Sequence, residues 1–397
     1  MPQGAARIFI VGAKRTHFCS YGGPLRDFPA SHIFAIAAKD AMRSANINPD
    51  VIDATVVGNV NYLSQCDGGK TPRYCGLYSG VPIERPALGV NKTCGTGLQA
   101  VITGSVEILT GAANICLVGG TELMSSLPLL VRNIRFGTSL GTAYKLEDHV
   151  KKQLVDTFCG HSIEKIAEQI AEKYKLSREA VDQYTLQSHI KWSSAQEAKL
   201  FDDEITPIFA KVDKKHVILS DENPRSNLLL ENLSTLAPVL DDGAIVTPGN
   251  SSAPADGAAA LILANEESVN KHKITPMARL TAWACVGVDP VEAGLGAVSA
   301  ILKLLAVSNK KIQDVDLFEI NETFASQAIA VIKELKIDPS KVNINGGALA
   351  VGNPAAATGA RMAAHLSHQI RRNSARTAVA ASSCGGGQGI AILLESL

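Results

Sequence analysis

The chain has no surplus of charge in either direction. Its 38 lysines and arginines are balanced by 38 aspartates and glutamates, so no long-range field draws in nucleic acid and no basic tract marks a membrane surface. Any anionic ligand must be held by local groups. Cysteine pairing is also missing. The eight cysteines, at 19, 66, 75, 94, 116, 159, 285 and 384, include no C-x-x-C pair and no Cys/His cluster at zinc-ligand spacing. That argues against a metal site and predicts reduced thiols with separate roles. No apolar run reaches the roughly 18–20 residues of a spanning helix, so no integral membrane segment is expected. The start has no export-signal arrangement. No acid precedes Asp27, which is faintly like a transit peptide, but "RIFIVGAKRT" (7–16) already reads as a strand and its exit.

At 397 residues the chain has room for two or three compact units. Short β-branched runs, "DATVVGNV" (53–60), "ANICLVGG" (113–120), "VDLFEIN" (315–321), "KVNING" (341–346) and "ARTAVAASS" (375–383), alternate with helical patterns. Continuous apolar strands between helices indicate an α/β protein with sheets covered on both faces. Two segments share one plan of strand, glycine turn, helix, strand. In the first, "ALGVN" leads through Cys94 to a helix with Leu98, Val101, Ile102, Val106 and Leu109, expected to be buried nearly all round. In the second, "VNING" leads through "GALAVGNP" to a helix with Met362, Leu366 and Ile370 at i, i+4, i+8. The parallel predicts an internal duplication whose strand-end turns meet at one crevice. From about 121 to 247 the pattern changes to amphipathic helices and polar loops, with Ser177 as an N-cap. This stretch reads as an insertion lying over an active site.

Chemistry concentrates at the strand ends. Cys94 stands before a helix whose free amides and positive end favour an anion, the location of a nucleophile, although a structural cysteine fits the same place. Cys384 repeats the situation before Gly385, Gly386 and Gly387, which either cradle an oxyanion with their amides or simply turn. Asn321, in "EINETFASQ", either holds a water or caps a helix.

Taken together, "NKTCGTG", "GGTELMS", "GNSSAPADGAAA", "NETF", "GNP" and "CGGGQG", in this order and at these separations, resemble the thiolases. The resemblance covers essentially the whole chain, and "RNIRFGTSLGTAYKLED" is most similar to the mitochondrial-type 3-ketoacyl-CoA thiolases. It implies the thiolase fold: two βαβαβαββ-type halves packed as a five-layered α/β/α/β/α core with an inserted loop domain. The implied division is 1–120 plus 246–272 for the first half, 121–245 for the loop domain and 273–397 for the second half.

The resemblance also implies reversible acyl transfer between coenzyme A and the α-carbon of acetyl-CoA, as in fatty-acid β-oxidation. Coenzyme A and acyl-CoA are then substrates, and no cofactor is permanently bound. Cys94 matches the nucleophile that becomes the acyl-enzyme, and Cys384 matches the acid/base acting on the acetyl methyl. Asn321 matches the residue holding a water in one oxyanion hole, and the amides of Cys94 and Gly386 form the other. Ser252 falls at the pantetheine contact, with Arg225 towards the nucleotide end and His161, Cys159 and Phe324 about the acyl pocket. A homodimer or homotetramer is implied, in the mitochondrial matrix or alternatively the cytoplasm.

One position departs from the pattern. The family turn reads G-H-P, its histidine taking the nucleophile's proton and donating to the enolate oxygen, whereas this chain has Gly352, Asn353 and Pro354. An amide donates a hydrogen bond but accepts no proton at neutral pH. His161 is the candidate substitute; His365 and His368 lie too far along the following helix. Three readings follow: a slow but working thiolase, a thiolase-like protein that binds acyl-CoA without appreciable turnover, or an engineered inactive variant.

Overall fold

The computed structural model describes residues 7–65, 67–209, 217–218 and 220–397; Cys66 falls outside them. Nine strands form one continuous sheet path: β1 (Ile8–Thr16), β2 (Ala54–Gly58), β3 (Ala87–Val90), β4 (Ile115–Leu123), β5 (Ala255–Asn265), β6 (Ala278–Gly287), β7 (Leu317–Ile320), β8 (Thr377–Cys384) and β9 (Gln388–Glu395). Their order is β7-β8-β9-β6-β1-β5-β4-β2-β3.

The pairing senses reveal the duplication. Outward from β1, the first half runs antiparallel to β5, antiparallel to β4, then parallel to β2 and β3. Outward from β6, the second half runs antiparallel to β9, antiparallel to β8, then parallel to β7. The halves join where β1 and β6 pair antiparallel through Ile8–Ile10 and Ala278–Leu280.

The place of β3 in the second half is taken by the stretch around Val342, which keeps only one parallel bridge to Phe318. The strand expected over 341–346 is therefore not formed. Asn343 has φ +45°, which breaks an extended run. Its side-chain amide substitutes for the ladder, accepting from the Ile320 N–H at 2.9 Å and donating to the Ile320 carbonyl at 2.9 Å.

Three main cores fill the spaces between five layers, the middle one surrounding the central helices. Helix α1 (Ala30–Ser44), with α2 (Thr71–Ser79) beside it, covers one outer face and buries Phe34, Ala38 and Met42 against β4 and β5. Helices α6 (Gly296–Ser308) and α7 (Ala325–Leu335) cover the other, around Ile301, Leu304 and Leu393. Between the two halves lie α3 (Thr96–Leu109) and α8 (Ala355–Arg371), the helices that follow the two matching turns. As the middle layer, α8 is buried on every side from Ala356 to Ile370, not merely along the stripe of Met362, Leu366 and Ile370. In α3, Val106 is instead 42% exposed and Leu109 half-buried, because that end of the helix reaches beyond the covering layer.

The stretch Pro290–Ser308 meets the length and apolarity of a membrane span, with a mean hydropathy of 1.6, contrary to the expectation that no run would do so. It is interrupted by non-helical backbone at Glu292, and α6 lies against β9 and β6. Its apolarity serves the outer core.

Glycine allows the middle layer to close. A β-carbon on Gly97 would overlap the main chain at Ala360, and one on Gly120 would overlap the Ala356 carbonyl at the start of α8. Backbone cannot swing aside as a side chain does. Gly120→Ala is expected to cost about 1–3 kcal/mol through overpacking, read as a lowered midpoint in thermal unfolding.

Candidate active site

The turn before α3 is held by short-range side-chain bonds. Asn91 Oδ1 accepts the Thr93 N–H at 3.0 Å, and Thr96 Oγ1 accepts the Lys92 N–H at 2.8 Å while donating to the Thr93 carbonyl at 2.6 Å. They keep Thr93 at φ +47°, a left-handed conformation that a β-branched residue adopts only at a cost of order 1–3 kcal/mol. Cys94 follows, half-buried, at the mouth of α3.

The second cysteine comes to the same place from the other half. Cys384 ends β8, is 2% exposed, and its sulfur packs against Gly95, where a β-carbon would have to sit 2.5 Å away. Gly386 and Gly387 then turn the chain with φ of +78° and +76°, open to glycine at no steric cost. Both sulfurs line one cavity of about 580 Å³.

Asn321 leaves the end of β7 with its N–H on the Ala381 carbonyl at 3.0 Å. Its Nδ2 donates to Thr323 Oγ1 at 3.3 Å and to Ser382 Oγ at 3.4 Å, and its buried Oδ1 has no partner among the described residues. Glu322 beside it is structural. It accepts from Tyr184 at 3.0 Å, Ser188 at 2.8 Å and Asn343 at 2.7 Å, clamping the segment that leads to the Gly-Asn-Pro turn.

Asn353 reaches the cavity wall with its side chain already committed on one side. Thr358 Oγ1 donates to its Oδ1 at 2.8 Å, and its Nδ2 donates to Ser252 Oγ at 3.3 Å. This orients the amide so that the remaining Nδ2 hydrogen is the group it has to offer. Ser252 and Phe324 line the cavity beside it.

The electrostatics run against the simple expectation for a helix end. Burial pushes the Cys94 thiol up; a hydrogen bond from the Thr323 side chain and its own backbone bond oppose this, and nearby Glu122 adds to it. Desolvation outweighs these hydrogen bonds, so the net shift is upward. Cys384 is raised further, by burial first and then by Cys94. Glu122, at the end of β4, is pushed up to about 7 by burial, against the N–H groups of Val60 and Asn61, the Asn61 side chain and the Ala356 N–H of α8. Below that pH it adds little charge near Cys94; above it, the added negative charge disfavours the thiolate.

The insertion supplies the roof. Val150, Gln153, Leu154, Ile163, Glu164 and Val239 line the cavity, and an adjoining space of about 630 Å³ shares Thr93, Leu154 and Gly385 and reaches Gly386. Helix α4 (Ile163–Lys173) is capped by Ser162, and α5 (Arg178–Glu197) by Ser177 as expected. Three expected contacts are not made. Asp156 Oδ1 accepts from the N–H groups of Phe158 and Cys159, and this turn sends Phe158 to the adjoining space while Cys159 packs on the outer core. His161 is on neither wall; its carbonyl accepts the Asp156 N–H, so it is no substitute base in this geometry. Arg225 is exposed and off both walls, its N–H bonded to His189 Nδ1 at 3.2 Å. His365 is buried on Glu204 at 2.8 Å and Asn345 at 3.1 Å, away from the cavity. Thr323 and Met124 line the cavity without having been singled out, although both lie inside quoted motifs. The roof residues carry no motif at all.

A sequence model of the thiolase N-terminal domain matches residues 8–267, and one of the thiolase C-terminal domain matches 274–396. The chain is 44% identical over 390 residues to the mitochondrial 3-ketoacyl-CoA thiolase of Bos taurus, covering 98% of each. It is similar to the crystal structure of human mitochondrial 3-ketoacyl-CoA thiolase in complex with CoA, with TM-score 0.96 and 43% identity over 99% of this chain and 98% of that one. The Bacillus anthracis acetyl-CoA acetyltransferase structure has TM-score 0.95 and 33% identity, over 99% of each chain.

Proposed function

Since this chain belongs to the thiolase family, we propose that Cys94 and Cys384 divide the two halves of its reaction between them. The protein is an acyl-CoA acyltransferase with coenzyme A and acyl-CoA as substrates. It cleaves a 3-ketoacyl-CoA with coenzyme A, or runs the condensation in reverse.

The carrying observation is that two sulfurs from duplicated halves face one cavity edged by a helix mouth and a glycine turn. In thiolysis, Cys94 gives its proton to solvent and adds to the ketone carbonyl as the thiolate, the carbon–carbon bond breaks, and the leaving carbanion of acetyl-CoA takes a proton from Cys384. The coenzyme A thiol then attacks the acyl-enzyme, its proton returning to Cys384, and releases Cys94 as the thiolate. The amides of Cys94 and Gly386 stabilise the tetrahedral oxyanion, and a water held by the open Oδ1 of Asn321, with the free Asn353 hydrogen, faces the enolate oxygen. Ser252 meets the pantetheine arm and Phe324 the acyl side. Arg225 stands further out, towards the nucleotide.

Turnover is slowed at the proton-transfer step, because Asn353 accepts no proton and its carbonyl is occupied by Thr358. Incubation with acetyl-CoA or a 3-ketoacyl-CoA followed by mass analysis is expected to show an acyl adduct on Cys94 with slow release. Binding without adduct would overturn catalysis in favour of a thiolase-like binder.

The division into 1–120 with 246–272, 121–245 and 273–397 follows the strand topology, with the middle segment as a roof. A homodimer or homotetramer is supported by the arm whose two strands pair Leu129–Val131 with Leu146–Asp148; Phe136 and Leu140 between them are fully exposed. The names of the relatives support a mitochondrial location.

A further inference from the structure

We propose that Gln327 is a specificity-determining residue: its side-chain amide, buried and unpartnered on the cavity wall, selects acyl chains that carry an uncharged oxygen beyond the reacting ketone. This rests on the reading of the cavity as the acyl-CoA site.

Gln327 is the third residue of α7, a position from which glutamine ordinarily reaches back to the N–H before the helix in a capping box. No capping box forms at Phe324. The neighbouring Ser326 is committed to the roof, donating to the Ala167 carbonyl of α4 at 3.1 Å. Gln327 is 7% exposed and lines the cavity, and its amide makes no hydrogen bond among the described residues. Glycine leaves the room that the amide fills: a β-carbon on Gly294 would stand 2.6 Å from Gln327 Nε2 and 2.5 Å from Ile170 Cδ1. An amide held among apolar groups lowers stability until something hydrogen-bonds it. On a cavity wall, an incoming ligand can do so.

Position selects the part of the ligand. Ala293 precedes Gly294, and Ile166 lies one turn before Ile170 in α4; both line the cavity and also the adjoining space of about 630 Å³. Ser252, Pro248 and Val239 line the cavity alone. Gln327 thus stands by the branch, on the acyl side rather than at the Ser252 contact with pantetheine. The ketone and thioester oxygens already have their donors in the main-chain amides, the Asn321 water and Asn353, so the oxygen that meets Gln327 lies further along the acyl chain. Charge narrows the class. The charged side chains lining the two spaces among the described residues are Asp156 and Glu164, with no lysine, arginine or histidine beside them. A carboxylate tail is therefore disfavoured. A hydroxyl accepts from Nε2 and can also donate to Oε1, and a keto oxygen accepts from Nε2.

The test is calorimetric binding of coenzyme A thioethers, which cannot acylate Cys94: the octyl thioether, its hydroxyl isomers substituted at carbons five to eight, and a carboxyl-ended thioether of equal length. In the parent protein, at least one hydroxyl isomer is expected to bind roughly five- to tenfold more tightly than the octyl compound, the worth of one buried hydrogen bond. The carboxyl-ended compound should bind more weakly than octyl. In Gln327→Leu and Gln327→Met the order is expected to reverse, octyl binding more tightly than every hydroxyl isomer. The ratio of two ligands within one variant cancels general damage to the fold, and the Met variant keeps the side-chain length should the Leu variant fail to fold. The proposal is overturned if no hydroxyl isomer surpasses octyl, if the preference survives in the variants, or if the carboxyl-ended compound binds most tightly. Absence of binding by every thioether would defeat the acyl-CoA reading and the proposal with it, whereas equal binding by all defeats the proposal alone.

Discussion

Asn353→His is expected to raise the thiolytic turnover number by about 10²–10⁴-fold, the range of a positioned general base. The backbone at this position does not depend on its side chain. The Asn353 N–H reaches the Ala253 carbonyl at 2.9 Å, and Asn353 pairs with Pro254 in a parallel bridge. A new ring therefore replaces the amide without moving the turn. Ser252 and Thr358, which now hold the amide, remain to orient the imidazole. The pH profile supplies the second signature: the imidazole must be neutral to accept the thiol proton, so activity should climb as pH passes its ordinary value near 6.5. Steady-state consumption of a 3-ketoacyl-CoA with coenzyme A reads both effects. Unchanged turnover would mean that the slow step lies elsewhere.

The largest expected loss of stability comes from Arg15. This residue at the end of β1 is 1% exposed. It binds Asp221 through two parallel contacts at 2.7 and 3.0 Å and Glu204 through Nε at 2.9 Å. Its guanidinium also lies 5.4 Å from the Phe18 ring centre and 5.5 Å from that of Phe201. Glu204 in turn meets His365 on α8. One cation thereby ties the first strand to the inserted segment and, through Glu204 and His365, to the helix that follows the Asn353 turn. Arg15→Met keeps the apolar stem but leaves two buried carboxylates without their cation, at a cost of about 3–5 kcal/mol. Denaturant unfolding measures it, and adding Asp221→Asn should recover part of the loss.

Acid behaviour gives an independent check on the same network. Burial alone would raise Glu204, but His365 and Arg15 outweigh it and hold the carboxyl far below its usual range. A depressed carboxyl contributes stability that is present above the ordinary glutamate value near 4.3 and is lost as pH falls towards its folded-state value. The Arg15→Met protein, with that depression weakened, should begin acid unfolding at a higher pH than the parent.

Local chemistry was legible where it is written in adjacent residues. Cys94 before a small-residue helix start, Cys384 before three glycines, and Ser177 as a cap each follow from a few neighbours. The failed expectations concern long-range relations. Residues 341–346 read as a strand because they form a short β-branched run, yet one positive φ at Asn343 and its amide bonds to Ile320 end the ladder. His161 had the right chemistry and the right neighbourhood in the chain, but the Asp156 turn places it off the cavity walls.

The amino-acid order alone determined the family, the alternation of strand and helix, the two strand-end thiols, and the amide at position 353, because each is carried by residue identity at short spacing. Only the tertiary structure decided that desolvation raises Cys94, that Thr358 and Ser252 hold Asn353, and that Thr323 accepts from the Asn321 amide. Burial and hydrogen-bond direction depend on groups brought together from distant parts of the chain, and no local window contains them.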